Sequence, residues 1–230
     1  MLGATSKTTT DLETTMAGLR RALVIIDVQN DYFAEGGPLA IQYPDRNESL
    51  ANITRAIDVA EAQDMPVAVV QHQYPAGAPV FAEGSEGWKL HPEIASRHKD
   101  SWKHLVKGYA SVFAGTDFEA WLRENDIEAI TLVGYMSNNC DLATAAAAEP
   151  LGFAVEVLSD ASGAVHLANE AGQVGAQQLH ETLMVLLNSN FAAVASTDDW
   201  VHAVKSGTAL PKGDLGTSAV QGHAAFAAVA

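Results

Sequence analysis

The stretch EAITLVGYMSNNC, residues 128–140, joins a continuous apolar run to a polar turn that holds the one cysteine of the chain. A short continuous apolar run is typical of a strand that is buried on both faces of a parallel sheet. We therefore predict a strand over 128–134 and, after the turn, an Ala-rich helix over 141–148. Cys140 then lies where that helix begins, beyond the carboxyl end of the strand.

Strands and helices alternate on both sides of this stretch. Apolar runs predict further strands at 21–27, 66–72, 105–107, 153–158 and 192–195. The segments between them predict helices at 47–63, 117–125 and 169–187, and Thr116 is expected to cap the second of these. The βαβα alternation indicates an α/β fold in which helices cover both faces of a parallel sheet.

Length and composition favour one globular domain. The chain has 230 residues, of which 48% are apolar, and this is ample for a packed core. We predict a flexible Thr-rich leader over 1–20, a domain over 21–204 and a C-terminal arm over 205–230. Because the leader has no apolar h-region and a single cysteine cannot form an internal disulfide, we expect a cytoplasmic protein.

The charge balance argues against two classes of partner. Thirteen Lys and Arg residues against 28 Asp and Glu residues give a formal net charge of −15. This charge repels nucleic acid and anionic membrane surfaces, so we expect neither as a partner. Solubility is the simpler explanation of the charge, and electrostatic steering of a cationic substrate is the alternative.

The predicted position of Cys140 points to chemistry at its sulfur. The start of a helix offers unpaired N–H groups and the positive end of the helix dipole, which favour a thiolate and can also stabilise an oxyanion. Asn138 or Asn139 is available as the helix cap. From burial habits alone, however, a lone cysteine is usually an inert buried residue.

An acid at the end of the first strand offers a partner for the thiol. If the strand order is 3-2-1-4-5-6, strands one and four are neighbours, and Asp27 faces Cys140 at the edge where doubly wound sheets bind ligands. A carboxylate beside a thiol can act as a general base and later return the proton to a leaving amine. Taken alone, Asp27 is equally consistent with an acid that caps a turn.

Four segments together resemble the isochorismatase-like cysteine hydrolases, which include nicotinamidases, carbamoyl-amide hydrolases and related amidases. The resemblance runs from about Ala22 to Ala195. The segments are VIIDVQNDYF at 24–33, KGYASVFAGT at 107–116, GYMSNNCDLATA at 134–145 and LSDA at 158–161. The family implies a three-layer αβα fold with a six-stranded parallel sheet in the order 3-2-1-4-5-6.

The resemblance also implies a catalytic triad of Asp27, Lys107 and Cys140. In such enzymes the thiolate attacks a carboxamide carbonyl, an amine leaves, and water releases the acyl group from the sulfur. Lys107 would hold the aspartate and the developing thiolate by charge. The family further implies a cis peptide at Tyr135–Met136, with the N–H groups of Met136 and Cys140 forming an oxyanion hole.

Four further residues are candidates for substrate contact. Phe33, Trp88 and Tyr135 are aromatic and can wall a pocket, although aromatic residues are as often part of a core. Asn139 adjoins the proposed nucleophile and is also a candidate helix cap. The irregular region from Tyr74 to Asp100 is rich in Gly, Pro and aromatic residues, and loops of this length are usually functional. We expect it to cover the site.

The sequence predicts no metal or other cofactor. Nicotinamidases carry an Asp-x-His metal motif after their second strand, and this chain has VQHQY at 70–74 in its place. This departure counts against a nicotinamidase. His91, His98 and His104 are too widely spaced for a compact ligand set, so we expect structural or surface roles for them.

Several functions stay open on these residues. The cysteine favours carboxamide hydrolysis over the vinyl-ether hydrolysis of isochorismatases proper, which lack it. The acidic charge and the long 74–100 region permit a bulky cationic lactam, such as an antibiotic of the streptothricin type. Alternatives are a ureido or carbamoyl-amide hydrolase, and a binding or assembly protein with a vestigial triad. The family also implies a homodimer or homotetramer.

Overall fold

The computed structural model describes residue 18 and residues 20–227. The predicted leader, except for Gly18 and Arg20, lies outside the described residues. The strands are β1 (Arg21–Ile26), β2 (Val67–His72), β3 (Lys103–Lys107), β4 (Ala129–Tyr135), β5 (Ala154–Gly163), β6 (Leu167–Asn169), β7 (Gly172–Val174) and β8 (Ala193–Ala195). The α-helices are α1 (Arg46–Ala62), α2 (Pro92–Ala95), α3 (Phe118–Glu124), α4 (Leu142–Leu151), α5 (Ala176–Leu186), α6 (Thr197–Ser206) and α7 (Leu215–Phe226).

Six of the strands form one parallel sheet in the order β3-β2-β1-β4-β5-β8. Every residue of β1, β2 and β4 is buried, as the apolar runs predict for strands covered on both faces. Helices α1 and α6 pack on one face, whereas α3 and α4 pack on the other. The predicted three-layer fold and strand order are therefore confirmed, with β8 as the sixth strand of the sheet.

The predicted helix over 169–187 is wrong in its first part. Residues 167–174 form the antiparallel hairpin β6–β7, and the helix begins only at Ala176. The Asn169 side chain accepts a hydrogen bond from the Ala171 N–H at 2.9 Å, and Gly172 has φ of +140°. A side-chain turn followed by a residue with positive φ favours a hairpin over a continuing helix.

Helix α6 was not predicted, and it ends two residues beyond the predicted domain boundary at 204. Its buried Trp200 donates from Nε1 to Glu156 Oε2 and Thr131 Oγ1, both at 3.2 Å. Arg21 pairs with the same carboxylate, with 2.9 Å between Nε and Oε1. This buried network connects α6 to three strands of the sheet.

Other boundaries differ by smaller amounts. Helix α3 begins at Phe118, and Thr116 lies one residue before its N-cap position, Asp117. The Thr116 hydroxyl nevertheless accepts a hydrogen bond from the Phe118 N–H at 3.2 Å. The expected capping interaction is present, but it comes from the preceding residue.

The predicted C-terminal arm contains helix α7. None of the α7 residues is buried, and its Leu215, Val220 and Phe226 are largely exposed. Assembly into a homodimer or homotetramer stays a prediction. Among the residues that the structure describes, no helix combines the length and the apolar content that crossing a membrane requires.

We predict that Gly134→Ala lowers the free energy of unfolding by about 3 kcal/mol or more. Gly134 has φ of +115°, and a Cβ there would lie 2.1 Å from the Ile26 carbonyl oxygen of β1. Gly207→Ala is the matched control, because Gly207 also has positive φ but no atom within 4 Å of the added Cβ. The control is expected to cost about 1 kcal/mol in urea denaturation. Equal losses for the two variants would contradict the prediction.

Candidate active site

Four polar side chains meet at the carboxyl ends of neighbouring strands. Asp27 follows β1, His72 ends β2, Lys107 ends β3, and Cys140 lies in the turn after β4. Ligands of doubly wound sheets bind at this edge. The strand order therefore brings together residues that are up to 113 positions apart in the chain.

Lys107 lies at the centre of this group. Its Nζ is 2.6 Å from Asp27 Oδ2 and 3.2 Å from Cys140 Sγ. The relative exposures of Asp27, Lys107 and Cys140 are 0%, 2% and 1%. The structure thus joins the three residues predicted as a triad in one buried cluster, and their catalytic roles stay a prediction.

The backbone turns sharply at Asp27. This residue has φ of +52°, a conformation that is uncommon for non-glycine residues and recurs at functional sites. Its N–H still donates to the Val70 carbonyl of β2 at 3.0 Å. Asp27 therefore leaves the strand while it remains bonded to the neighbouring strand.

The residues after Asp27 bind the segment over 74–100. Gln29 Nε2 donates to the Trp88 carbonyl at 2.6 Å, and Asp31 Oδ2 accepts from the Phe81 N–H at 2.6 Å. Gln29 also exchanges two hydrogen bonds with the backbone of His72. Gln29 and Asp31 thus attach the 74–100 segment to the residues that follow Asp27, and its role as a cover of the site stays a prediction.

The turn that holds Cys140 is a single π-helical turn, Ser137–Asp141. It is preceded by a cis peptide at Tyr135–Met136, which confirms that prediction. The N–H groups of Asn139 and Asp141 both donate to the Met136 carbonyl, at 3.0 and 3.2 Å. The oxyanion-hole roles of the Met136 and Cys140 N–H groups stay a prediction.

The expected asparagine cap of the following helix is wrong. The π-helical turn passes directly into α4, and no side-chain cap is formed there. Asn139 is exposed, and Asn138 Oδ1 is buried with no hydrogen-bond partner among the described residues. Because the turn continues into the helix, neither asparagine lies at a free helix start.

Burial reverses the expected ionisation of the thiol. Burial and the adjacent Asp27 carboxylate raise the pKa of Cys140 well above its ordinary value, and Lys107 offsets only part of this effect. Burial also raises the pKa of Asp27, against the lowering effect of Lys107. Burial thus works against the thiolate that a helix start favours, and it leaves a neutral thiol beside a carboxylate that can accept its proton.

Lys107 remains charged in this site. Burial alone would lower the pKa of its ammonium group, but the Asp27 carboxylate and Cys140 together raise it. A buried charge is tolerated when it is paired and hydrogen-bonded. Lys107 therefore supplies a fixed positive charge between the acid and the sulfur.

His72 belongs to the cluster but was not identified from the sequence as a site residue. It is 5% exposed, and its Nδ1 lies 3.0 Å from Lys107 Nζ. Burial and the charge of Lys107 lower the pKa of His72 to about 4. The sequence signal that could identify His72 is its position at the end of β2, the strand that lies between those that supply Asp27 and Lys107.

The predicted substrate-contact residues have different surroundings. Tyr135 is fully buried, and its hydroxyl lies 2.7 Å from Ser49 Oγ of α1, so the structure places it in the core. Phe33 is half-buried against Tyr135, with 5.7 Å between ring centroids. Trp88 is half-buried in the 74–100 segment, and Asn139 is exposed beside Cys140. Contact of Phe33, Trp88 and Asn139 with a substrate stays a prediction.

His91, His98 and His104 have structural partners. His91 accepts a hydrogen bond from the Glu93 N–H at 3.3 Å and so caps α2. His104 Nε2 lies 2.8 Å from Gln71 Oε1, and the His98 and His104 rings are 5.7 Å apart. Donor atoms of Asp27, His72 and Cys140 do lie within 4.8 Å of one another. The Lys107 ammonium, in contact with all three, already supplies a positive charge to this donor set.

Comparisons with known proteins agree with the fold and the sequence motifs. Residues 21–199 match the isochorismatase domain model. An isochorismatase family protein of Bacillus subtilis is 30% identical over 178 residues, which are 77% of this chain and 96% of the relative. The nicotinamidase of Escherichia coli is 28% identical and covers 64% of this chain and 84% of its own length. A crystallised Burkholderia xenovorans protein assigned to the isochorismatases is 46% identical, with a TM-score of 0.86, and covers 91% of this chain and 99% of its own.

We predict that Asp27→Asn shifts the pH profile of Cys140 alkylation by iodoacetamide to lower pH, by roughly one unit or more. The substitution removes the negative charge that raises the thiol pKa and leaves Lys107 beside the sulfur. Lys107→Met is expected to slow the reaction, because it removes the one lowering influence. Pseudo-first-order alkylation rates from pH 6 to 10 measure both effects. An unchanged pH profile in Asp27→Asn, or one shifted to higher pH, would contradict this electrostatic account.

We predict that Asp141→Asn raises the free energy of unfolding, relative to the wild type, by more at pH 7 than at pH 5. Burial raises the pKa of Asp141 to about 7, from 3.8 in an unfolded chain. Between about pH 4 and 7 the folded state therefore binds the extra proton, and its stability falls as the pH rises. The variant lacks this loss. Its free energy of unfolding relative to the wild type should therefore rise by about 2 kcal/mol from pH 5 to 7 in urea denaturation. A difference in stability between the variant and the wild type that does not change with pH would contradict a raised pKa of Asp141.

Proposed function

This chain belongs to the isochorismatase family of hydrolases, and we propose that it hydrolyses the C–N bond of a carboxamide through its cysteine. The observation that carries the proposal is the buried contact of Lys107 Nζ with both Asp27 and Cys140. A nucleophile, a base and a charge that orients them within hydrogen-bond reach are the parts that covalent catalysis needs.

The first half of the reaction forms a thioester. Asp27 accepts the proton of the Cys140 thiol while Sγ attacks the amide carbon, and the carbonyl oxygen becomes an oxyanion. The N–H groups of Met136 and Cys140 are our candidates to hold that oxyanion. Asp27 then returns the proton to the nitrogen, the C–N bond breaks, and ammonia or an amine leaves.

The second half releases the acid. Asp27 takes a proton from a water molecule, whose oxygen attacks the thioester carbon, and the C–S bond breaks as Cys140 regains its proton. Lys107 keeps its charge throughout and stabilises each state in which Asp27 or the sulfur is negative. Because the resting thiol is neutral, attack and proton transfer to Asp27 are coupled.

The burial of the cluster favours a small substrate. The side chains of Asp27, Lys107 and Cys140 are almost unexposed, and residues 29–31, which follow Asp27, bind the 74–100 segment. A bulky cationic lactam would require this segment to move, whereas a small planar amide would need less room. A ureido or carbamoyl amide is the second candidate, and it uses the same three residues.

The test is a panel that contains planar carboxamides, ureido compounds and a cationic lactam. Wild-type protein is expected to release ammonia or amine from at least one member, and Cys140→Ala is expected to lower that rate by about a thousandfold or more. Glu149→Ala, on the exposed end of α4, is the control and should keep wild-type activity. The preferred panel member identifies the substrate class.

Two results would contradict the proposal. Turnover that persists in Cys140→Ala would exclude the thiol as nucleophile. No turnover of any panel member by wild type would favour the alternative of a binding protein with a vestigial triad. Mass spectrometry of a rapidly quenched mixture should also detect an acyl adduct on Cys140 in the wild type.

A further inference from the structure

We propose that His180 is a positioning residue for the candidate oxyanion hole, and that it acts through Ser137, the first residue of the turn that holds Cys140. This inference rests on the proposed amide hydrolysis, and it assigns the contact that keeps the Met136 and Cys140 N–H groups in place. His180 lies on α5, 43 residues after Ser137 in the chain.

The two ring nitrogens of His180 have different partners. Nε2 lies 3.0 Å from the Ser159 carbonyl oxygen of β5, which can only accept, so Nε2 carries a proton. Burial lowers the pKa of His180 below its ordinary value, and the ring is therefore neutral at pH 7. Nδ1, which lies 3.0 Å from Ser137 Oγ, then accepts the hydroxyl proton of the serine.

Ser137 is directly connected to both parts of the candidate oxyanion hole. It follows Met136 and begins the π-helical turn Ser137–Asp141 that contains Cys140. The Met136 carbonyl accepts hydrogen bonds from two N–H groups of this turn, so the peptide that joins Met136 to Ser137 belongs to the bonding of the turn. A shift of Ser137 would therefore be passed to the Met136 and Cys140 N–H groups.

The contact between His180 and Ser137 lies in the protein interior. His180 is 3% exposed, and Ser137 is fully buried. Ser137 Oγ also lies 3.2 Å from the Gly163 carbonyl oxygen at the end of β5. Its single proton cannot serve both acceptors at once, and the contact with His180 is the shorter one. Loss of a buried hydrogen-bond partner leaves the other group unsatisfied, so the geometry at Ser137 depends on the histidine.

The other end of the turn is attached separately. Asp141 accepts a hydrogen bond from Ser162 Oγ of β5. Because this contact does not involve His180, loss of the histidine should loosen the turn at Ser137 while Cys140 Sγ keeps its contact with Lys107 at 3.2 Å. The expected effect is therefore on stabilisation of the oxyanion and not on the reactivity of the thiol.

Two reagents that react with the same sulfur separate these effects. With 4-nitrophenyl acetate, Cys140 Sγ adds to the carbonyl carbon and Asp27 takes the thiol proton, so an oxyanion forms before the C–O bond breaks and 4-nitrophenolate leaves. Iodoacetamide is attacked at its CH2 group, iodide leaves, and no oxyanion forms. His180→Gln is expected to slow acylation by roughly tenfold or more and to leave the alkylation rate within about threefold of the wild type.

Matched variants identify which contact of His180 matters. His180→Asn places an amide oxygen near the Nδ1 position, where it can accept from Ser137, and should keep acylation within about threefold of the wild type. His180→Gln places its amide near the Nε2 position, so only the bond to Ser159 can persist. Ser137→Ala should slow acylation as much as His180→Gln, and the double variant should be no slower than either single variant.

His166→Ala is the control. Its Nδ1 accepts a hydrogen bond from the Ala176 N–H at the start of the same helix, α5, so the substitution removes a histidine contact of this helix without removing the contact with Ser137. Acylation and alkylation of this variant should both proceed at wild-type rates.

The outcomes separate this inference from the proposed function. Equal slowing of both reactions in His180→Gln, unchanged acylation, or equal losses in His180→Asn and His180→Gln would each overturn the inference. So would a wild-type sulfur that is alkylated but not acylated. Acylation that depends on His180, without turnover of any amide by the wild type, would support the inference and refute the proposed hydrolysis. Amide turnover that His180→Gln leaves unchanged would support the hydrolysis and refute the inference.

Discussion

The site depends on one buried ion pair, between Lys107 and Asp27. Both side chains have no solvent contact, and their charged atoms are 2.6 Å apart. Loss of either partner would leave an uncompensated charge, which is strongly destabilising in a protein interior. The pair also spans β1 and β3, with His72 of β2 between them, so its geometry requires these three strands to be neighbours. The fold and the chemistry are thus constrained by the same interaction.

The sequence predicted those features that depend on local pattern and on order along the chain. The apolar runs located the six strands of the sheet, and the motif positions located Asp27, Lys107 and Cys140 at its carboxyl edge. The ionisation of the thiol does not follow from the sequence, because it depends on burial. The start of a helix favours a thiolate, but full desolvation beside Asp27 outweighs that effect. No local pattern reports how deeply a residue is buried.

The remaining errors arose where tertiary contacts override local preference. Helix α6 is held to the sheet by Trp200, which donates a hydrogen bond to the Glu156 carboxylate of β5, and this partner is 44 residues away in sequence. The sequence makes Tyr135 a candidate for a pocket wall because it is aromatic, but its ring packs in the core and its hydroxyl pairs with Ser49. The sequence does not identify His72 as a site residue, because its place in the cluster depends on contact with Lys107, which is 35 residues away. Each of these roles is defined by a neighbour that is distant in the chain.

The 74–100 segment can change most of its side chains without losing its attachment to residues 29–31. Residues 29–31 contact this segment mainly through its main chain, at the carbonyls of Glu86, Gly87, Trp88 and Lys89 and the N–H of Phe81. Apart from Gly87, where a Cβ would collide with the Asp31 carboxylate, its side chains are not needed for these bonds. The segment can therefore exchange residues and diversify while its attachment persists. Such changes would alter the surface beside His72 without removing the bonds that hold the segment to residues 29–31.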